Sequence, residues 1–204
     1  MRIPPRAGPL LVLDSGSPLV SVALGREGAP LAVRAEEISR SSTRLLEMVD
    51  EVLAAAGMGL AEVGGVAALA GPGSFTGLRI GLATVLGFQQ ALGLPATAVP
   101  TLRVLASLAP PRAGRACGAV DSLRGEWAVE EWRAGERVDG MRLLPAAELS
   151  RLAPCAFVGF GVSRLRALPG WPADAQAIEP GPLAPAALAL LVADEIAEGG
   201  TSGG

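Results

Sequence analysis

The stretch from Gly71 to Arg79 constrains the fold of this chain more than any other feature of the sequence. It follows the apolar run Val66–Ala70, which has the length and composition of a buried strand. It leads into a segment ending at Leu92 whose spacing predicts a helix. The sequence therefore predicts a strand, a glycine-rich turn and a helix in succession.

Two interpretations of this turn are open. Free backbone N–H groups at a helix N-terminus bind anions such as phosphate. Glycines four residues apart instead remove side chains from one helix face and allow close packing. The spacing favours packing, because two small-residue stripes follow each other: a first stripe of Gly73, Gly77 and Gly81, and a second stripe of Ala83, Gly87 and Ala91. A Walker loop needs a lysine, which this chain lacks, and the third glycine comes one residue late for a dinucleotide fingerprint.

Composition excludes several kinds of chemistry. The chain has 204 residues, half of them hydrophobic, and a formal charge of −3, which indicates a globular protein without a basic surface for nucleic acid. It contains no histidine, and all 17 basic residues are arginine. Triads based on histidine, imidazole metal sites and lysine Schiff bases are therefore excluded. The two cysteines, Cys117 and Cys155, lie in apolar surroundings and are expected to be buried and reduced.

The rest of the chain alternates strands and helices. Four strands and a helix precede the glycine-rich turn, and the helix it leads into, a further strand and a short helix follow it. Pro110 to Arg115 is the best linker in the sequence. Beyond it, the segment from Gly161 to Pro182 is expected to be rich in loops. The predicted strands are 10–13, 20–24, 31–36, 66–70, 95–99, 116–120, 126–133, 138–143 and 156–159, and the predicted helices are 44–56, 78–92, 101–108, 146–152 and 183–197.

Both halves begin in the same way. Each opens with an apolar strand, then an Asp-Ser turn at Asp14 or Asp121, then a returning strand. A strand meander followed by alternating helix and strand, twice over, predicts an α/β fold of two ribonuclease-H-like lobes. We expect residues 1–109 to form the N-terminal lobe, residues 110–115 a linker and residues 116–204 the C-terminal lobe.

The run from Gly71 to Gly81, GPGSFTGLRIG, resembles the signature of the TsaB (YeaZ) family. Other segments agree with that family in order: the first strand into Asp14-Ser15, LLEMVD at 45–50, the stretch 94–102, and DSLRGEW at 121–127. The resemblance is firm from about Leu10 to Trp132. A C-terminal family motif of the Pro-x-Tyr-x-Arg type is missing, which leaves open whether the second lobe is trimmed.

The N-terminal apolar run ends at Asp14, too short for a signal peptide, and no run of the sequence reaches membrane-spanning length, so we expect a cytoplasmic protein. The resemblance implies a fold of the actin/Hsp70/sugar-kinase (ASKHA) type and a role in threonylcarbamoyladenosine synthesis on tRNA. It implies a partner subunit rather than a catalyst, one that binds and activates a TsaD-type transferase together with a TsaE-type ATPase. It also implies a homodimer when alone, contact with tRNA only through the complex, and no contact with membranes. The interface is expected on helices of the first lobe, at Leu45, Leu46, Val49, Leu53, Gly73, Gly77, Leu78, Gly81, Thr84, Val85 and Phe88.

A nucleotide site is the second expectation. Asp14 and Asp121 each follow a strand, where sugar kinases and related ATPases place magnesium carboxylates. Turn formation by their side chains is the competing explanation. Arg79 at a helix start could meet a nucleotide phosphate, a tRNA phosphate, a partner carboxylate or an internal acid. Candidate nucleotide contacts are thus Asp14, Ser15, Arg79 and Asp121, with ATP or ADP and magnesium at or near the complex interface and no resident metal. The alternative function is a small ATP-dependent phosphotransferase or ATPase that uses Asp14 and Asp121.

Overall fold

A computed structural model describes residues 8–37, 42–152, 155–181 and 184–198. Contacts divide the chain into two compact units. The first unit consists of Met1–Val99 and Pro182–Gly204, and the second unit is Pro100–Gly181. Both units combine a mixed sheet with helices.

The sheet of the first unit is built around its first strand. Strand β1 (Leu10–Asp14) lies between an antiparallel neighbour, β2 (Leu19–Arg26), and a parallel neighbour, β4 (Gly65–Leu69). Because a central strand is covered on both faces, β1 is a continuous apolar run rather than an alternating one. The strand order is β3-β2-β1-β4-β5. The bounds are β1 Leu10–Asp14, β2 Leu19–Arg26, β3 Ala29–Glu37, β4 Gly65–Leu69 and β5 Ala96–Val99.

Three helices pack on this sheet: α1 Ser42–Ala55, α2 Phe75–Leu92 and α4 Ala184–Glu198. Helix α1 lies against β2 and β3, and α2 lies against β4, β1 and β5. Apolar residues at helical spacing on α1 meet the alternate residues Leu11 and Leu13 of β1 in one core cluster. Helix α4 packs on β2, β1 and β3.

The second unit repeats the same sheet plan. Strand β6 (Arg115–Asp121) again has an antiparallel neighbour, β7 (Glu126–Arg133), and a parallel neighbour, β10 (Ala156–Val158). The order is β11-β10-β6-β7-β8, with β9 also paired to β7. The bounds are β6 Arg115–Asp121, β7 Glu126–Arg133, β8 Glu136–Arg137, β9 Arg142–Pro145, β10 Ala156–Val158 and β11 Gln176–Ile178, with α3 at Thr101–Ser107. The predicted α/β fold of two ribonuclease-H-like lobes is confirmed.

The division of the chain differs from the predicted boundaries at two helices. Helix α3 packs on β6 and β7 of the second unit, where a Cβ added at Gly118 would overlap the Leu102 carbonyl oxygen. Helix α4, although last in the sequence, packs on the first unit. Of the predicted linker, Pro111–Ala113 forms a 3₁₀ turn and Arg115 begins β6. The proline-rich linker therefore does not mark the boundary between the two units. Helix α3, which precedes the linker, is buried against β6 and β7 and so belongs to the second unit.

The short helix predicted at 146–152 is confirmed and has 3₁₀ geometry. The strand predicted at 138–143 was wrong, because the short strands β8 and β9 replace it. Strand β11 was not predicted within the loop-rich stretch, because Gln-Ala-Ile is too short to show a period. Within the described ranges, the helices lack the combined length and apolarity that crossing a bilayer demands.

Candidate functional site

The glycine-rich turn fixes the start of α2. The hydroxyl of Ser74 accepts a hydrogen bond from the Gly77 N–H at 3.3 Å, which makes Ser74 the N-cap of the helix. The Ser74 N–H in turn donates to the Gly16 carbonyl at 2.8 Å. The turn is therefore hydrogen-bonded to the loop after β1, and α2 starts at Phe75, earlier than the sequence predicted.

The first small-residue stripe packs inside the subunit. A Cβ on Gly77 would overlap the carbonyl oxygen of Ser15, and one on Gly81 would lie 2.5 Å from the Ser15 hydroxyl. A Cβ on Gly73 would lie 2.6 Å from the Gly16 oxygen. Ser15 also donates through its hydroxyl to the Gly77 carbonyl at 2.7 Å. The close-packing interpretation is thus right for this stripe, but the neighbour is the chain's own β1 loop.

The second small-residue stripe faces outward. Ala83, Gly87 and Ala91 are all exposed, and a Cβ on Gly87 would meet no atom within 4 Å. Leu86 beside them is 51% exposed. We call the exposed side of this helix the α2 outer face; it comprises Phe75, Thr76, Arg79, Ala83, Leu86, Gly87, Gln90 and Ala91. At 100° per residue these eight positions form one continuous sector of the helix.

Phe75 and Arg79 form a pair at the start of the α2 outer face. The Arg79 guanidinium carbon lies 3.8 Å from the centroid of the Phe75 ring, in a cation–π contact. Phe75 is nevertheless 67% exposed, so it does not serve as a packing anchor of its own subunit. The pair presents an aromatic surface and a positive charge together, which is a combination enriched at protein interfaces.

The predicted interface residues differ in burial. Leu45, Val49, Leu53 and Val85 are at most 5% exposed and belong to the core of the first unit. Gly81 is buried too, whereas Leu46 is 48% exposed. Leu78, Thr84 and Phe88 are intermediate. The predicted set does not include Phe75, Ala83, Leu86 and Ala91. These residues are exposed on the side of α2 opposite Val85 and Gly81.

Asp14 forms the turn after β1 and is fully buried. Its Oδ1 accepts hydrogen bonds from the N–H groups of Gly16 and Ser17 at 3.0 and 3.1 Å. Within the part of the chain that the structure describes, its buried Oδ2 has no hydrogen-bonding partner. Burial raises the pKa of Asp14 to about 6, although hydrogen bonds from Ser17 and Gly16 lower it. These contacts support the turn-forming explanation.

The raised pKa predicts how stability depends on pH. Folding raises the pKa of Asp14 from 3.8 to about 6, so the folded state favours the protonated acid. The stability that Asp14 contributes to the folded state is complete below pH 3.8, its pKa in the unfolded chain, and is lost as pH rises through about 6. In Asp14→Asn, the side-chain amide keeps an oxygen that can accept hydrogen bonds and carries no charge at any pH in this range. Its unfolding free energy relative to wild type should therefore increase by on the order of 2 kcal/mol from about pH 4 to about pH 8. Urea unfolding of both proteins across this range tests it; a difference that does not vary with pH would contradict it.

Asp121 is engaged by its own unit. Its Oδ1 accepts the Leu123 N–H at 2.8 Å, and its Oδ2 pairs with Arg164 at 2.7 Å. The Arg164 guanidinium also lies 5.7 Å from the Trp127 ring centroid. In the described ranges, no three acidic or cysteine side chains converge as a metal-binding set. The Oδ2 of Asp121 is therefore already paired with a guanidinium, which a magnesium ion at this carboxylate would have to displace.

Comparison with known proteins gives a consistent result. A family model described as "TsaD: tRNA N6-adenosine threonylcarbamoyltransferase" matches residues 35–136. The tRNA threonylcarbamoyladenosine biosynthesis protein TsaB of Escherichia coli K12 is 36% identical over 130 residues, which cover 62% of this chain and 56% of that protein. The chain spans about half the length of the curated relatives it matches.

Solved structures extend the similarity over nearly the whole chain. YeaZ from Pseudomonas aeruginosa is 32% identical with a TM-score of 0.74, and the match covers 94% of this chain and 92% of that one. The ethanolamine utilization protein EutJ from Carboxydothermus hydrogenoformans is 13% identical over 94% of this chain, with a TM-score of 0.50, and shares the fold alone. Both lobes are therefore of the ASKHA type. The GPGSFTGLRIG run, the sheet plan of both lobes and these matches together show that the chain belongs to the TsaB (YeaZ) family.

Proposed function

We propose that this chain is a non-catalytic subunit in the synthesis of threonylcarbamoyladenosine on tRNA. In this role it binds and activates a TsaD-type transferase and works with a TsaE-type ATPase, in the cytoplasm. Its membership of the TsaB family supports the pathway. The observation that carries the role of a binding subunit is the α2 outer face, which is exposed, partly apolar and lined with small residues.

The α2 outer face suits a helix of a partner protein. Packed helices lie 8–10 Å apart, and small residues at the contact permit the shorter distances. Ala83 and Gly87 would let a partner backbone approach, while Leu86 and Phe75 would supply apolar contact. Arg79 would then face a carboxylate of the partner. Leu46, exposed on α1, would extend this surface. In the absence of a partner, the same surface would form a homodimer.

The candidate catalytic groups support a role without chemistry of its own. Asp14 is buried beneath the β1 turn, and Asp121 is ion-paired with Arg164. In the first turn of α2, the Ser74 hydroxyl already accepts the Gly77 N–H, which is one of the donors that an anion would need. Transfer of the threonylcarbamoyl group would take place on the TsaD-type subunit, and tRNA would reach this chain only through the complex.

Reconstitution tests this proposal. Purified TsaD-type and TsaE-type proteins, a threonylcarbamoyl-adenylate synthase and unmodified tRNA are incubated with and without this chain, and modified nucleoside is measured by mass spectrometry. Product is expected only when this chain is present, and Asp121→Ala is expected to support synthesis as well as wild type. Equal synthesis without this chain would contradict the proposal.

The alternative function is an ATP-dependent phosphotransferase or ATPase, and the unpartnered buried Oδ2 of Asp14 is the observation in its favour. Calorimetry with ATP and magnesium separates the two functions. The isolated chain is expected not to hydrolyse ATP. It is also expected to show no magnesium-dependent binding of ATP, so Asp14→Asn should leave the titration unchanged. Turnover by wild type together with loss of binding in Asp14→Asn would establish the enzyme instead.

A further inference from the structure

Two buried polar side chains face each other in the first sheet. The register of β1 and β2 places Asp14 directly opposite Ser21. Opposed side chains of an antiparallel pair lie on one face of the sheet, with Cβ atoms about 4.5–5.5 Å apart. Both residues are fully buried. Among the residues that the structure describes, neither Asp14 Oδ2 nor the Ser21 hydroxyl makes a hydrogen bond. Because buried polar atoms are rarely left in this state, the pair needs a further partner.

The face on which the pair lies is the one that α4 covers. Gly25 is on the same side of β2 as Ser21, since side chains alternate along a strand. A Cβ added at Gly25 would lie 2.6 Å from Leu190 of α4. Every α4 side chain that the structure describes, at positions 186–193, is apolar. These side chains therefore offer no hydrogen bond to Asp14 or Ser21.

The turn after β1 fixes the carboxylate of Asp14. Its Oδ1 accepts the N–H groups of Gly16 and Ser17 at 3.0 and 3.1 Å. Rotating the side chain to bring Oδ2 onto the Ser21 hydroxyl would move Oδ1 away from both donors. A water molecule avoids that loss, because it lies about 2.7–2.8 Å from each partner oxygen and so joins oxygens up to about 5.5 Å apart.

We propose that Asp14 and Ser21 hold one internal water molecule between the β1–β2 ladder and α4. The water donates a hydrogen bond to Asp14 Oδ2 and accepts one from the Ser21 hydroxyl, whose single hydrogen then has an acceptor. Internal waters typically make about two to four such bonds to buried polar groups. A metal ion would leave the hydroxyl hydrogen unpaired, and in the described ranges three acidic or cysteine side chains do not converge.

Two substitutions of equal shape test this site in the full chain. Ser21→Thr keeps the hydroxyl, whereas Ser21→Val puts a methyl group in the place of the water. Oxygen-17 magnetic relaxation dispersion detects water molecules held inside a fold. We expect wild type and Ser21→Thr to hold one more such water than Ser21→Val. The unfolding equilibrium constant of Ser21→Val in urea should be about tenfold that of Ser21→Thr, because Asp14 Oδ2 loses its partner.

A crystal structure of the wild type locates the water directly. Its density is expected within about 3.2 Å of both Asp14 Oδ2 and the Ser21 hydroxyl oxygen. A direct hydrogen bond between these two oxygens would overturn the proposal. So would a metal ion in the site, recognised by contacts of about 2.0–2.6 Å, or equal relaxation dispersion of wild type and Ser21→Val. The wild-type density decides the question even if a variant fails to fold.

Discussion

Replacing Gly77 with alanine is expected to lower the unfolding free energy of the first unit by about 2–3 kcal/mol, although alanine is the better helix former. The added Cβ would overlap the Ser15 carbonyl oxygen, which is backbone and cannot rotate away. Either α2 or the β1 loop has to move, and the hydrogen bond from the Ser15 hydroxyl to the Gly77 carbonyl would be lost.

Urea unfolding followed by far-ultraviolet circular dichroism measures this loss. All three tryptophans, Trp127, Trp132 and Trp171, lie in the second unit, so their fluorescence reports that unit separately. Gly87→Ala is the matched control on the same helix, because its Cβ would meet nothing. It should raise stability by up to about 1 kcal/mol. Equal effects of the two substitutions would contradict the assignment of the two stripes.

Gly87→Leu is expected to weaken binding of a TsaD-type partner by about 100-fold, equivalent to about 2.7 kcal/mol, without unfolding the chain. The leucine would project from the centre of the α2 outer face into the space that a partner helix needs. Isothermal titration calorimetry gives the dissociation constant, and the melting temperature shows that the variant is folded.

A leucine elsewhere provides the control for this substitution. Gly140 in the second unit is exposed and has open space at its Cβ position, so Gly140→Leu adds the same bulk outside the first unit. It should bind the partner as wild type does. Gly81→Leu would not be informative, because Gly81 is buried against the Ser15 hydroxyl and the substitution would disturb the fold itself. Wild-type affinity of Gly87→Leu would argue against the α2 outer face as the interface.

Sequence reasoning gave the two-lobe architecture because local patterns determine it. The apolar runs of β1 and β6, their Asp-Ser turns and the returning strands are all visible in the letters. It could not tell which small-residue stripe faces inward. Gly77 and Gly87 occupy similar contexts in the sequence, and only the position of the β1 loop distinguishes them. The same limit applies to α4, since a terminal helix can pack on any exposed apolar sheet face.

The candidate nucleotide contacts show a second limit of this kind. An aspartate after a strand is typical of both a magnesium ligand and a turn former, and the sequence does not separate them. The structure adds the hydrogen bonds of Asp14 and the Arg164 pair of Asp121. The partners of Asp14 follow it directly in the sequence, whereas Arg164 lies outside the pattern that suggested the site. Ion pairs over 43 residues, such as that of Asp121 with Arg164, become visible only in three dimensions.

Cysteine labelling of the α2 outer face tests the central claim most directly. Ala83→Cys and Gly140→Cys each place a thiol at an exposed position, whereas Cys117 and Cys155 are buried. Maleimide labelling is followed by mass spectrometry with and without a saturating TsaD-type partner. We predict that the partner protects Ala83→Cys and leaves Gly140→Cys accessible. Labelling of Ala83→Cys at the same rate in the complex and in the free chain would contradict the claim that this subunit binds its partner through α2.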